Sequence, residues 1–293
     1  MSLDLKGVFV PNITPFTAQG IDESALARLV DYLIEGGASG LVPCGTTGES
    51  ATLSHEEHRH VVELTIKYAA GRVPVIAGAG SNSTTESIAL IQHAEEAGAD
   101  GALVICPYYN KPTQGGLLAH FSAVAEHTSL PIVMYNIPGR TGVNMEAETT
   151  AELSRIPNIV GVKEASGDLK QVMEIIHQAG PGFAVLSGDG VLTFLICCLG
   201  GVGGILADAH LLPGEWRRMV SLIAEGNLAE ARAIHYRLMG LGTALFLETN
   251  PTPVKAALEL LGVTPGGVRL PLVPATEACR EALRKELEQF GLI

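Results

Sequence analysis

The chain is poor in aromatic residues and in positive charge. Phe, Trp and Tyr make up 5% of its 293 residues, with a single Trp, and 19 Lys and Arg face 31 Asp and Glu for a formal net charge of −12. A surface with that balance repels phosphate backbones and anionic lipid, which argues against a nucleic-acid or membrane-surface role. Long hydrophobic runs are missing too. Hydrophobic residues reach 47%, yet no apolar stretch attains the roughly 18 residues needed to span a bilayer. The longest, 191–199, runs into Gly200 and Gly201. The N-terminal stretch holds acidic Asp4 and no apolar h-region, so no secretory signal is expected. Cys44, Cys106, Cys197, Cys198 and Cys279 form no CxxC, and adjacent Cys197 and Cys198 are poorly placed to pair. These absences predict a reduced, cytoplasmic protein. His55, His58 and His60 crowd one segment, but at i and i+3 rather than the i and i+4 of a zincin. No further Cys/His cluster completes a site, so no metal is expected.

What the chain has is alternation. Short apolar segments bounded by Gly, Pro or Ser recur at intervals averaging about 28 residues, at 7–11, 40–43, 75–78, 101–105, 132–136, 159–164, 184–187 and 203–206. Buried parallel strands have this character. Amphipathic stretches lie between them, including 21–35, 54–70 and 83–97. Ser54 with Glu57 makes a capping box, and Gly98 is placed as a C-terminal cap. Eight such pairs, ending with a helix at 213–225, predict an α/β fold, a (β/α)8 TIM barrel. An open doubly wound sheet would carry a glycine fingerprint, and Gly78-Ala79-Gly80 lacks its third glycine because position 83 is Ser. Beyond the barrel only helices are expected, at 229–247, 253–261 and 274–289. The expected division is a catalytic barrel, 1–226, and a C-terminal all-helical appendage, 227–293.

In a parallel barrel, reactive groups sit at the C-terminal ends of the strands. The chain has seven lysines, and Lys163 alone closes a short β-type apolar run followed by a turn. An ammonium there is disfavoured by desolvation, and the neutral amine is a nucleophile able to form a Schiff base. A lysine that snorkels from a strand end is the other reading. Alternation puts Ile159, Gly161 and Lys163 on one face and Val160, Val162 and Glu164 on the other. With Lys163 in the lumen, Gly161 would leave space beneath it and Glu164 would face the helices as a structural residue. Tyr135 falls on the lumen side of the neighbouring strand, as a proton relay or as a core tyrosine. Arg140 offers a carboxylate fork, or is an exposed loop residue. Gly45-Thr46-Thr47-Gly48-Glu49 gathers hydroxyls and backbone N–H groups suited to an anion, and Tyr108 and Tyr109 end strand four.

These segments, at this spacing and over essentially the full length, are similar to the dihydrodipicolinate synthase / N-acetylneuraminate lyase group of class I aldolases. The carriers are Gly45-Thr46-Thr47-Gly48-Glu49, Tyr135-Asn136-Ile137-Pro138 and Gly161-Val162-Lys163-Glu164-Ala165. Tyr108 to Pro112, Gly139 to Gly142 and Leu247 to Lys255 resemble the synthase branch. The resemblance implies that Lys163 forms a Schiff base with pyruvate and that Thr46, Tyr135 and Tyr109 relay protons, Tyr109 from a neighbouring subunit. It implies that Thr47 holds the pyruvate carboxylate, Arg140 holds that of aspartate semialdehyde, and Gly188 and Ile205 line the pyruvate end through their backbone. No metal or organic cofactor is implied, and the assembly would be a homotetramer of dimers that share Tyr109. Ser50, Ala51, His55, His58, Asn82, Glu86 and Tyr108 match a feedback site for L-lysine.

One stretch departs from the family pattern. In Gly203-Gly204-Ile205-Leu206-Ala207-Asp208-Ala209-His210, Leu206 and Ala209 replace polar side chains expected near the active-site mouth, and Gly190 stands where a second acid is frequent. These departures leave a second reading open, another pyruvate-dependent aldolase acting on a 2-keto-3-deoxy sugar acid or 4-hydroxy-2-oxoglutarate. A third is a non-catalytic barrel that binds a keto acid.

Overall fold

The structure, a computed structural model, describes residues 3–293. Met1 and Ser2, the head of the stretch read for a signal, lie outside the described residues. Eight parallel strands follow one another along the chain: β1 Gly7–Val10, β2 Gly40–Leu41, β3 Ile76–Gly78, β4 Gly101–Ile105, β5 Ile132–Asn136, β6 Ile159–Glu164, β7 Ala184–Ser187 and β8 Gly203–Ile205. Their hydrogen-bonded order is β2-β1-β8-β7-β6-β5-β4-β3. A parallel bridge between Leu41 and Val75 joins the two ends, so the sheet closes on itself. The expected barrel is the one observed. β2 is shorter than 40–43 because Pro43 has no N–H to donate; its carbonyl still accepts from Gly78 N at 2.9 Å.

Helices cover the outside: α1 Glu23–Glu35, α2 His55–Ala69, α3 Thr84–Glu96, α4 Gln114–Glu126, α5 Ala147–Leu153, α6 Leu169–Gln178, α7 Gly190–Cys198 and α8 Pro213–Ala224. The capping box is formed as expected: Ser54 Oγ accepts from Glu57 N, and Glu57 Oε2 accepts from Ser54 N at 2.9 Å. Three more helices end the chain, α9 Leu228–Ala244, α10 Thr252–Leu260 and α11 Glu277–Gln289. Among the described residues no helix is long and apolar enough to cross a membrane, and all five cysteines are free.

The core has two layers, set by the two-residue period of the strands. Phe9, Val42, Ile76, Leu103, Val133, Leu186 and Ile205 fill the lumen together with Leu5. Their neighbours in sequence, including Val10, Leu41, Ala77, Val104, Met134, Val185 and Leu206, pack outward against the helices. Each large apolar side chain so buried contributes about 1.5–3 kcal/mol relative to exposure.

Strand β6 corrects the expected alternation. A register shift opposite Ile132 and Val133 pairs Ile132 with Ile159 but Val133 with Gly161. A bulge inserts one residue and resets which side chains face inward. Ile159 therefore joins the outer layer, and Val160 packs against the lumen cluster. Beyond the bulge the alternation resumes, with Val162 outward and Lys163 inward.

Candidate active site

Lys163 and Tyr135 are paired across β6 and β5 as direct neighbours in the ladder, each one residue from the end of its strand. Lys163 is 6% exposed, and its Nζ stands 4.1 Å from the centre of the Tyr135 ring. Among the described residues no carboxylate forms an ion pair with it. Burial, aided by the positive charge of Arg140 and opposed by Asp208, brings its amine down to about 7. An ordinary lysine would be roughly 0.03% neutral at pH 7; this one is about half neutral. The Tyr135 phenol is pushed up to about 12 by burial, against Arg140 and the Thr46 side chain. It stays protonated and able to donate.

The loop after β2 is held in place by unusual backbone. Cys44 and Glu49 adopt left-handed conformations, with φ of 56° and 55°, which allows the chain to turn tightly between them. Gly48 N donates to Gly45 O at 3.1 Å, and Glu49 N to Thr46 O at 3.1 Å. The expected anion cradle is thus narrower than the sequence suggested, since these N–H groups are already spent within the loop. What remains is the pair of threonines. Thr46 is half-buried, and Thr47 is buried with its Oγ1 accepting from Asn250 Nδ2 at 2.9 Å. An oxygen that accepts from Asn250 leaves its own O–H free to donate to a carboxylate.

Asn250 does a second task. Its carbonyl accepts from Arg140 Nη2 at 3.2 Å, so one residue between α9 and α10 orients both candidate carboxylate binders. Arg140 lies in the short helix Pro138–Thr141 right after β5, exposed, with its charge reaching both Tyr135 and Lys163. Asn250 was not singled out in the sequence. Its signal was a polar residue inside the Leu247 to Lys255 stretch, but nothing there shows which barrel loops it meets.

Two glycines change roles. A Cβ on Gly161 would meet the Ala184 carbonyl at 2.7 Å and Leu5 Cδ1 at 3.3 Å. The space beneath Lys163 is therefore filled by core and is not available to a substrate atom. Gly188 is the glycine beside the amine: a Cβ there would lie 3.1 Å from Lys163 Cε and 2.7 Å from Ala165 Cβ. Its N–H is used by the Glu164 carbonyl at 2.8 Å. Ile205 lies in the lumen layer, level with Phe9 of β1. As expected, Glu164 is structural. It accepts from Asn136 Nδ2 at 3.0 Å, Gln171 Nε2 at 3.3 Å and Ser166 N at 2.6 Å.

The departure at 203–210 also reads differently in three dimensions. With Ile205 inward, Leu206 turns outward, and it and Ala209 are fully buried in the outer layer. Neither lines the mouth of the site. His210 is buried too, bonded through Nδ1 to Ala207 O at 2.8 Å while Nε2 accepts from Ile13 N at 3.1 Å.

Tyr109 stands apart from the lumen. It is 88% exposed, in a left-handed conformation with φ of 73°, its N–H bonded to Thr141 O at 3.2 Å. Nearby, His55 Nε2 pairs with Glu86 Oε1 at 3.2 Å, and Glu86 also accepts from Ser81 Oγ. Asn82 O accepts from Asn110 Nδ2 at 2.8 Å. Ser50 and Ala51 form the short turn ahead of α2, and Tyr108 is 38% exposed. His58 is buried and held neutral, burial bringing it down to about 4. His60 pairs with Glu23 at 2.8 Å, so the three clustered histidines go three separate ways.

The arrangement can hold a keto acid by its carboxylate, attack the carbonyl with a neutral amine and move protons through a phenol. Known proteins are similar to this chain over nearly its whole length. A model of the Dihydrodipicolinate synthetase family matches residues 4–290. A curated 4-hydroxy-tetrahydrodipicolinate synthase from Syntrophus aciditrophicus is 54% identical over 288 residues, 98% of this chain and 99% of its own. A crystal structure of dihydrodipicolinate synthase from Cyanidioschyzon merolae with lysine bound is 43% identical, with a TM-score of 0.96 over 98% of this chain and 99% of that one. The chloride-inhibited enzyme from Acinetobacter baumannii, complexed with pyruvate, is 41% identical with a TM-score of 0.96 over 99% of this chain and 100% of that one.

Proposed function

This chain belongs to the dihydrodipicolinate synthetase family, and we propose that it condenses pyruvate with L-aspartate 4-semialdehyde, the 4-hydroxy-tetrahydrodipicolinate synthase reaction of lysine and diaminopimelate biosynthesis. The observation that carries the reading is the buried Lys163 amine, brought down to about 7 beside the Tyr135 phenol.

Pyruvate enters with its carboxylate towards Thr47, and Lys163 adds to its keto carbon. Tyr135, with Thr46, supplies the proton that lets the carbinolamine oxygen leave as water. The resulting iminium withdraws electrons from the methyl group, which loses a proton and becomes an enamine. No metal is needed, because the iminium is itself the electron sink. The enamine carbon then attacks the aldehyde of the semialdehyde, whose carboxylate Arg140 holds. The substrate's own amine displaces Lys163, closing the ring and freeing the enzyme. Gly188 and Ile205 keep the pyruvate end narrow by backbone alone.

Tyr109, exposed on its own subunit, completes the relay of a second copy of the chain, within a homotetramer built from dimers. L-Lysine inhibits the enzyme at a site made by Ser50, Ala51, His55, His58, Asn82, Glu86 and Tyr108. The exposed His55–Glu86 pair and the lysine-bound relative support this. The test of function is a coupled reductase assay with pyruvate and aspartate semialdehyde. Turnover of that pair above any 2-keto-3-deoxy sugar acid or 4-hydroxy-2-oxoglutarate is expected; cleavage of those compounds alone would reject the reading. For the regulatory site, activity falls in a titration with millimolar L-lysine, and full activity there would sink it.

A further inference from the structure

Asp208 is a buried acid that the steps above leave unused. It sits in the 3₁₀ turn Ala207–His210, three residues past the end of β8, 1% exposed, and its Oδ2 has no hydrogen-bond partner among the described residues. A carboxylate isolated in that way is strongly disfavoured. The fold nonetheless makes room for it. A Cβ on Gly190 would collide with Oδ2 and meet Trp216 at 3.0 Å, and one on Gly242 would come within 3.1 Å of Oδ2.

The loop 188–190 runs between this acid and the catalytic amine. Gly188 abuts the Lys163 stem on one side, and Gly190 abuts the Asp208 carboxyl on the other. Two glycines therefore bring the groups close with no side chain of their own between them. The middle residue, Asp189, turns away to cap α7, its Oδ1 accepting from Val191 N at 2.8 Å and Leu192 N at 3.3 Å. The charged groups that act on Asp208 are Asp189 and Lys163; those that act on Lys163 are Arg140 and Asp208. Burial, then Asp189, raises the Asp208 carboxyl to about 7, and Lys163 draws it down. The same burial thus moves amine and acid towards each other, each acting on the other by charge without forming an ion pair.

We propose that Asp208 is a positioning residue that serves as counter-ion to the Lys163 iminium, neutral in the resting protein and ionised once the imine forms. The inference rests on the reading of Lys163 as the Schiff-base lysine. In the net step, the Lys163 amine and the keto carbon form a C=N bond, and the carbonyl oxygen leaves as water with the two amine hydrogens. The carboxyl proton of Asp208 then resides on the imine nitrogen, and the new cation and anion balance each other inside the barrel. Gly190 belongs to the same device, because any side chain there would evict the carboxyl.

The test traps the imine with borohydride at graded pyruvate concentrations and pH, in the wild type and in Asp208→Asn. Asparagine keeps the shape of the resting neutral acid. The expected result is that half-trapping of Lys163 needs about tenfold more pyruvate, the equivalent of one pKa unit, and that trapping in the variant weakens as pH rises above neutrality, because the imine nitrogen must then take its proton from solvent. Gly190→Ala keeps the acid but displaces it, and should move both readouts the same way; it decides the matter if Asp208→Asn does not fold. Wild-type trapping at Lys163 with neither readout changed in the variants overturns the proposal and leaves the proposed function intact. Loss of wild-type trapping removes the proposed function itself.

Discussion

In the proposed mechanism the chemistry turns on the protonation of one amine. Because burial brings Lys163 down to about 7, kcat/KM for pyruvate rises with pH up to about 7 and levels off above it, as the ammonium gives way to the nucleophilic amine. A limb near 10 in the pH profile would contradict this. Lys163→Arg cannot form an imine, and its guanidinium stays charged; it should abolish the pyruvate adduct while the protein remains folded. Tyr135→Phe keeps the ring under Nζ but removes the relay, so kcat falls about 10²–10⁴-fold. Asn250→Ala removes the side-chain bond to Thr47 but keeps the backbone carbonyl that Arg140 uses, so KM for pyruvate should rise by about tenfold, the range of one hydrogen bond, with KM for the semialdehyde little changed. The pairing of Lys163 with Tyr135 was legible in the sequence, because a strand's period and its end reveal which residues come together across a ladder. Asn250 and Asp208 were not. Their importance lies in contacts across long sequence separations, and no local pattern encodes those.

At the level of elements, the loop that carries Thr46 and Thr47 is clasped by the C-terminal helices. Lys255 of α10 is fully buried, ion-paired with Glu49, and donates to Gly267 O at 2.8 Å. Phe16 lies between Lys255 Nζ and Arg269 Cζ, each 4.2 Å from its ring centre. Arg269 in turn bonds both oxygens of Glu57 and the backbone of Thr52. Removing one partner of a buried pair strands the other's charge. Lys255→Met should therefore destabilise the protein by about 3–5 kcal/mol, and the double change with Glu49→Gln by clearly less. Urea denaturation of the two variants checks this; equal losses would show that the pairing is not the cause. The strands and the capped helices could be read from apolar runs and from Ser54 with Glu57. The bulge in β6 could not, because Val160 offers no local reason to break alternation. It arises from fitting β6 against β5.

For the whole molecule, histidine burial sets the acid response. His58, His120 and His210 are each brought down to about 4 by burial. Between about 6.5 and 4 the unfolded chain binds protons on these residues that the folded chain refuses, so stability falls as pH falls through that range. Asp208, raised to about 7, has the opposite sign between 3.8 and 7, but it is one group against three. The urea midpoint should be lower at pH 4.5 than at pH 7, and a midpoint that stays level or rises would contradict the assignment. The barrel was readable at this scale because its repeat is regular. Assembly was not, since Tyr109 shows only an exposed ring. If that ring completes a partner's site, mixing Tyr109→Phe with Lys163→Arg, each nearly inactive alone, restores activity through dimers that contain one intact site.

The most direct measurement is mass analysis of peptides after borohydride reduction with pyruvate. A reduced pyruvyl group on Lys163, absent when pyruvate is withheld, is the expected result. An unmodified Lys163, or a pyruvate-dependent adduct on another lysine such as Lys255, would contradict the central claim.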